Sequence, residues 1–424
     1  AGRLCMRMHR LDLALAFLQR AVEIDPNTDA LAEYDACCEL LFRSEARRSA
    51  GRMLAGWIER LNARAANAIA DERFTRIHIV SRLDALGGTE RRALNLYHQL
   101  ARSARVTLWS TAPALPFYSE SAPVRQIGDD ATPSGGTLIL VGTYYPCGDW
   151  LEHAAFDRIV ICHNLAEQYW TLSERLLQLE NNRSHPCIEL TCPSQLFRAE
   201  SGLPARIEYG FVDTGLFRRR AAAHAGGPIR IGRHARAYAL KFHPNDPHFF
   251  RELGARGYVV SLLGGSVLST AFAGADSGPE LLAAGSRRAE DFLQSLDIFV
   301  YRKHPKLYET GGTAILEAMA TELPVVVFRE DCGSAELIEH GCNGFLVDSE
   351  AEAIECIDRL AADVVLREQI GRAARATIVA LMQRQSGQTL RYYLGADAVP
   401  DASGDAKRGS DRIDPIDGIV PNAV

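Results

Sequence analysis

Residues 309–347 read ETGGTAILEAMATELPVVVFREDCGSAELIEHGCNGFLV, and the fold is decided here. Gly311, Gly312 and Thr313 stand where a loop becomes a helix, and the small-residue run that follows ends at a strand, Pro324 to Phe328. A helix start offers free backbone N–H groups and the positive end of the helix dipole, which together make a ready site for phosphate. Paired glycines let the backbone approach a ligand closely. Glu309 falls in the loop above the helix and Glu317 about two turns down it. Taken alone, such a carboxylate pair is a weak signal, because an isolated Glu317 reads more plainly as a solvated helix residue.

Working outward, short apolar strands alternate with helices on both sides of this stretch. Ile77 to Val80, Val106 to Trp109, Leu138 to Val141, Ile159 to Cys162 and Ile188 to Thr191 read as strands. The pattern restarts at Ile229-Arg230-Ile231 and continues through Val259 to Leu263, Ile298 to Tyr301, Pro324 to Phe328 and Gly344 to Val347. Strands separated by helices imply parallel α/β sheets. Two successive units of roughly 145 and 175 residues fit two Rossmann-like domains facing a cleft. The boundaries fall at 73–217 and 218–394, after a helical extension at 1–72 and before a tail at 395–424. In the extension Leu11, Leu15, Leu18 and Val22 recur at helical spacing, and Ala14 to Asn27 resembles the second helix of a tetratricopeptide repeat; with one such unit clear, a helical extension packed on the rest of the chain is an equal reading. With no candidate ligand-binding residue in it, the extension is expected to be dispensable for chemistry. Six arginines lie between Arg43 and Arg64 and read as a solvated helix face; a surface for a protein partner or anionic lipid stays open. The tail, rich in Asp, Gly, Pro and Ala, is expected to be disordered.

Composition narrows the class. The chain has 424 residues, 47% hydrophobic and 24% charged, enough for more than one packed core. A formal net charge of -6 gives no global pull toward nucleic acid. No apolar run approaches the roughly 20 residues that cross a bilayer, and Arg3, Arg7 and Arg10 interrupt any secretory signal at the start. None of the ten cysteines forms a C-x-x-C pair, so reduced thiols in a cytoplasmic protein are expected.

The ordered run of Glu309, Glu317, Pro324-Val325-Val326, Gly333-Ser334-Ala335-Glu336 and Gly341 to Val347 resembles the retaining glycosyltransferases of GT-B fold. The resemblance is to family 4, the glycosyl transferases group 1, which includes bacterial mannosyl- and glucosyltransferases, and it covers roughly residues 76–390. It implies that Glu309 contacts the donor sugar and Glu317 the ribose hydroxyls, while Gly312 and Thr313, beside Gly311, offer amides to a diphosphate. Gly232-Arg233 and Lys241 resemble the family's Gly-Arg…Lys-Gly pattern, with Phe242 in place of the last glycine. Chemistry asks for cations there: a nucleotide diphosphate gathers negative charge as it leaves, and fixed Arg and Lys groups stabilise that charge. Only four of the 47 basic residues are lysines, which makes Lys241 conspicuous. The neighbouring Arg302, Lys303, His304 and Lys306 either add to this field or form a solvated loop.

In the first unit Gly87-Gly88-Thr89-Glu90 resembles the family's Gly-Gly-x-Glu loop, and His163 falls where members carry a histidine near the reaction centre. Both follow strands at their carboxyl ends, where open α/β sheets bind ligands. By themselves they read as a tight turn and a satisfied structural histidine. Glu208-Tyr209-Gly210-Phe211-Val212-Asp213 matches the interdomain stretch except that Tyr209 and Phe211 depart from its Asn-Gly-Val.

The resemblance thus implies transfer of a sugar from a nucleotide diphosphate sugar to a sugar, lipid-linked or other acceptor, with retention of configuration. His163, Arg233, Lys241 and Glu309 form the catalytic set. Gly87, Gly88, Gly232, Arg233, Lys241, Gly311, Gly312, Thr313 and Glu317 form the donor-binding set. The resemblance further implies no catalytic metal, since cationic side chains do that work, and no paired Asp or His-Cys cluster stands ready to hold one; no cofactor or nucleic-acid partner is expected. A peripheral contact with the inner face of a membrane is left open. Two rivals remain: a nucleotide-sugar epimerase or phosphorylase of the same architecture, and a tetratricopeptide-type scaffold with a silent transferase domain. The retained Glu309, Glu317, Arg233 and Lys241 count against the second.

Overall fold

A computed structural model describes residues 17–18, 21, 44–65, 76–128, 130–164, 169–219, 227–273, 278–329 and 332–394. The tail at 395–424 lies outside these residues, as does the tetratricopeptide-like stretch apart from Phe17, Leu18 and Ala21.

Two parallel sheets carry the fold. The first contains β1 (Arg76–Ser81), β2 (Arg105–Ser110), β3 (Val124–Gln126), β4 (Thr137–Val141), β5 (Arg158–Cys162), β6 (Cys187–Cys192) and β7 (Ala205–Ile207), in the order β3-β2-β1-β4-β5-β6-β7. The second contains β8 (Arg230–His234), β9 (Val259–Leu263), β10 (Glu280–Leu282), β11 (Ile298–Tyr301), β12 (Val325–Phe328) and β13 (Phe345–Val347), in the order β10-β9-β8-β11-β12-β13. Central strands such as TLILV in β4 and VVVF in β12 are buried along their whole length. That is the signature of strands covered by helices on both faces. In each sheet the chain works outward from the first strand and then returns to its other side, so strand order reverses between β1 and β4 and between β8 and β11. Crevices open at the carboxyl ends of strands at such switch points. Three strands escape the apolar pattern: β3, β7 and β10 have three residues each and sit at sheet edges, where burial imposes little pattern.

The helices are α1 (Ser44–Asn62), α2 (Gly88–Leu100), α3 (Pro116–Ser121), α4 (Trp150–His153), α5 (Tyr169–Glu180), α6 (Gln195–Ser201), α7 (Asp246–Ala255), α8 (Ala289–Leu293), α9 (Thr313–Ala320), α10 (Glu350–Ala362) and α11 (Val364–Tyr393). Two of them tie the parts of the chain together. Helix α1 is not a separable extension: Leu54, Ile58 and Leu61 belong to the core under β4, β5 and β6. Asn62 exchanges two hydrogen bonds with the backbone of Ile188, at 2.7 and 2.9 Å. Its arginines are not all solvated either, since Arg47 is buried against Glu200 and stacks 4.6 Å from the Tyr308 ring of the other unit. Helix α11 packs Ile378, Leu381 and Met382 into the second unit's core, then delivers Tyr392 and Tyr393 into the core of the first. The buried Tyr393 hydroxyl donates to Glu208 at 2.9 Å, and Arg158 donates to the carbonyls of both tyrosines. The second unit therefore does not run unbroken to residue 394. Its last turn serves the first.

Candidate active site

Most of the residues singled out from sequence meet where the two switch points face each other. On the second sheet's side Lys241 sits on the 3₁₀ turn Ala239–Lys241 and donates to Oε2 of Glu309, which also accepts from the Tyr301 hydroxyl at 2.7 Å. Burial alone would push the Glu309 carboxyl upward. The Lys241 charge and hydrogen bonds from Lys241, Tyr301 and the Gly312 amide outweigh that, holding Glu309 below its usual range and ionised. Helix α9 begins immediately after Gly312, whose φ of 68° is left-handed and suits glycine. A Cβ there would also lie 3.0 Å from the Cys332 sulfur. The Ser334 hydroxyl holds the Gly311 carbonyl, so the loop entering α9 is fixed from behind.

Arg233 occupies a different place from the one expected. It is fully buried, with its guanidinium 4.9 Å from the Phe242 ring and 4.6 Å from the Tyr301 ring. Its nitrogens donate to the carbonyls of Arg302 and Lys241, the latter at 2.8 Å. There it braces the turn that presents Lys241. Phe242, in the position of the family's glycine, supplies one face of that brace. Gly232 has a packing reason too: a Cβ would fall 2.3 Å from the Ser261 carbonyl on β9. Arg302 is no part of a solvated loop, being buried over Phe328 and bonded to Glu350 at 2.6 Å.

Glu317 is buried on α9 and faces His234 at 3.1 Å and Arg91, from α2, at 3.8 Å. The first sheet's loop closes the other side. A Cβ on Gly88 would lie 3.7 Å from the Thr313 hydroxyl, and one on Gly87 would strike Arg236. Glu90 accepts from the Tyr144 hydroxyl and stands 3.8 Å from Arg236. The Asn164 side chain donates to Thr89 at 2.6 Å, and the Asn164 backbone carbonyl accepts from the hydroxyl of Thr310, the residue after Glu309, also at 2.6 Å. His163, the residue before Asn164, directly follows β5 and is fully buried, with Thr143 3.4 Å from Nδ1 and the Phe197 ring against it. Burial pushes its pKa down to about 4, leaving a neutral ring at pH 7. Four polar contributors went unnoticed in the sequence: His234, Arg236, Arg91 and Asn164. The one signal for them is adjacency: His234 and Arg236 follow Gly232-Arg233, Arg91 follows Glu90, and Asn164 follows His163.

Residues 283–377, which hold Glu309, Gly311 to Thr313, Glu317 and the Gly333 to Glu336 turn, match the family described as glycosyl transferases group 1. No curated protein matches the chain at a significant level. Among solved structures it is similar to Anabaena HepE in complex with UDP and glucose, at 16% identity and a TM-score of 0.56, over 75% of this chain and 100% of that one. It is similar to a glycosyltransferase from Rickettsia africae at 12% identity and a TM-score of 0.56, over 76% and 99% of the two chains. A third likeness is to sucrose-phosphate synthase from Thermosynechococcus elongatus, at 17% identity and a TM-score of 0.53, over 76% and 100%. The two sheets and their helices are thus the GT-B architecture. Among the described residues no helix is long and apolar enough to cross a membrane.

Proposed function

We propose that the chain is a glycosyltransferase that takes a sugar from a nucleoside diphosphate sugar and passes it, with retention, to an acceptor held on the first unit. Residues 73–217 would form the acceptor side. The donor side would be 218–394, with the last turn of α11 lent back. The observation that carries this reading is the Lys241–Glu309 pair set at the start of α9, opposite Gly87 and Gly88 across the two switch points. When the bond from sugar to diphosphate breaks, charge builds on the leaving phosphate. Lys241 and the first amides of α9 would stabilise that charge. Glu309, held as an anion, would face the positive charge that develops on the sugar ring, and Glu317 would accept from the ribose hydroxyls. The group 1 match over residues 283–377 supports this assignment, and UDP in the Anabaena structure makes a uridine donor the first to try.

The test is release of free nucleoside diphosphate from UDP-glucose, UDP-N-acetylglucosamine and GDP-mannose, with and without candidate glycan and lipid-linked acceptors. Acceptor-dependent release is expected, with the anomeric proton of the product reporting retention. An epimerase would alter the sugar without releasing nucleotide. Absence of release together with absence of any donor-induced thermal shift would remove the proposal.

A further inference from the structure

Glu336 lies outside the catalytic and donor-binding sets, yet it joins both halves of the molecule. Its 3₁₀ turn, Gly333–Leu337, follows β12 on the donor side. Both carboxylate oxygens nevertheless reach across to the other unit. Oε1 accepts from the Gln195 amide and Oε2 from the Leu196 amide, each at 2.8 Å, and the Tyr209 hydroxyl adds a third bond at 2.6 Å. These are the first amides of α6, whose own cap, Ser194, serves only Phe197. The first amides of a helix have no partner within it and favour a negative charge, so an ionised carboxylate from the opposite unit completes α6 with charge-assisted bonds.

The other end of the same turn holds the phosphate-facing loop. The Gly333 amide donates to the Glu309 carbonyl at 2.8 Å, and the Ser334 hydroxyl donates to the Gly311 carbonyl. Gly333 itself is wedged between the units: a Cβ there would fall 2.0 Å from the Thr310 carbonyl and 2.5 Å from Cβ of Ser194. One short turn thus has its carboxylate on α6 and its backbone on the loop from Glu309 to α9.

We infer that Glu336 is a positioning residue: by capping α6 it makes the direction of the Gly312 and Thr313 amides depend on the acceptor side being docked. The inference rests on the transferase reading and assigns Glu336 no contact with the donor. Its consequence is selective. Releasing the turn loosens the start of α9, where a diphosphate would sit. Glu317 lies a turn further along and faces His234 of its own unit at 3.1 Å, so recognition of the nucleoside is left in place.

The experiment is titration of UDP and of UMP into the full chain and into Glu336→Gln and Gln195→Pro. Gln195 is the first helical residue of α6, a position where proline fits, and Ser194 before it is already extended, at φ −161° and ψ 157°. That change deletes one amide that Glu336 accepts from and alters nothing on the donor side. If Glu336→Gln does not fold, Gln195→Pro carries the test alone. Affinity for UDP should fall about tenfold in each variant while affinity for UMP changes less than twofold, the scale of losing one charge-assisted hydrogen bond. Unchanged UDP affinity, or an equal loss for both nucleotides, would overturn the inference while leaving the transferase reading intact. Where the unmodified chain takes GDP in place of UDP, the same titration runs with GDP and GMP; an unmodified chain that binds no nucleoside diphosphate would overturn both.

Discussion

At Lys241 an ammonium group meets a carboxylate that burial pushes toward its neutral form, and the neighbouring charge outweighs that push. Removing the cation should therefore hurt twice, by exposing the departing phosphate to its own charge and by unsettling Glu309. Lys241→Ala is expected to lower turnover at saturating donor by about a hundredfold, the scale for one charge-stabilising group. The two glutamates should fail differently. Glu317 would bind ribose alike in ground and transition states, so Glu317→Gln should chiefly weaken donor binding; Glu309→Gln should chiefly depress turnover. Separate measurement of turnover and donor affinity decides this, and the opposite split would mean the roles are exchanged. His163 gives a prediction in pH. Unfolded, it takes up a proton near pH 6.5; folded, only near 4. Between those values the unfolded state binds more protons, so stability is present above pH 6.5 and is lost as pH falls toward 4. At about 1.4 kcal/mol per unit, this fully buried group contributes about 3 kcal/mol across the window. Denaturant titrations at pH 7 and pH 5 should show a shallower acid loss in His163→Asn than in the parent.

At the scale of elements, what the sequence disclosed and what it hid have physical reasons. The central strands were legible because burial on both faces leaves unbroken apolar runs such as Leu138 to Val141. Glu309, Gly312 and Glu317 were legible because they sit in one contiguous loop and helix whose order is itself informative. Arg233 shows the limit. Residue type identifies a cation near a strand end, but not whether its guanidinium turns outward or is captured by Phe242 and Tyr301. Interdomain partners such as Arg91 with Glu317, distant in the chain, leave no local pattern at all. Helix α11 illustrates the same point. Its last turn carries two tyrosines that look like ordinary amphipathic surface, yet Tyr393 satisfies a buried Glu208 carboxylate more than 180 positions away. Tyr393→Phe leaves that oxygen short of a donor and should cost about 2 kcal/mol of stability. Equilibrium unfolding would register it, and a change within a few tenths of zero would show that Glu208 finds another partner.

For the molecule as a whole, the first described helix is part of the building and not an annex. A chain starting near Glu72 would uncover the core faces that Leu54, Ile58 and Leu61 now cover, each worth about 2–5 kcal/mol by the measure of core truncations. Such a chain should melt at least about 10 °C lower or fail to accumulate as folded protein. Melting unchanged from the parent would place α1 outside the cooperative unit. The return of α11 bears on how such a protein can be recombined. Its donor half is stitched to the acceptor half by two strands of polypeptide, the stretch around residues 208–217 and the far end of α11, so no single cut frees it. A graft of a foreign donor half joined at one seam near residue 218 would confront Arg158, Glu208 and Arg92 with a helix end they were never matched to. The unit that can be exchanged is an insert with two seams, one ahead of β8 and one inside α11 before Thr389, leaving the closing turn of native sequence on its original host.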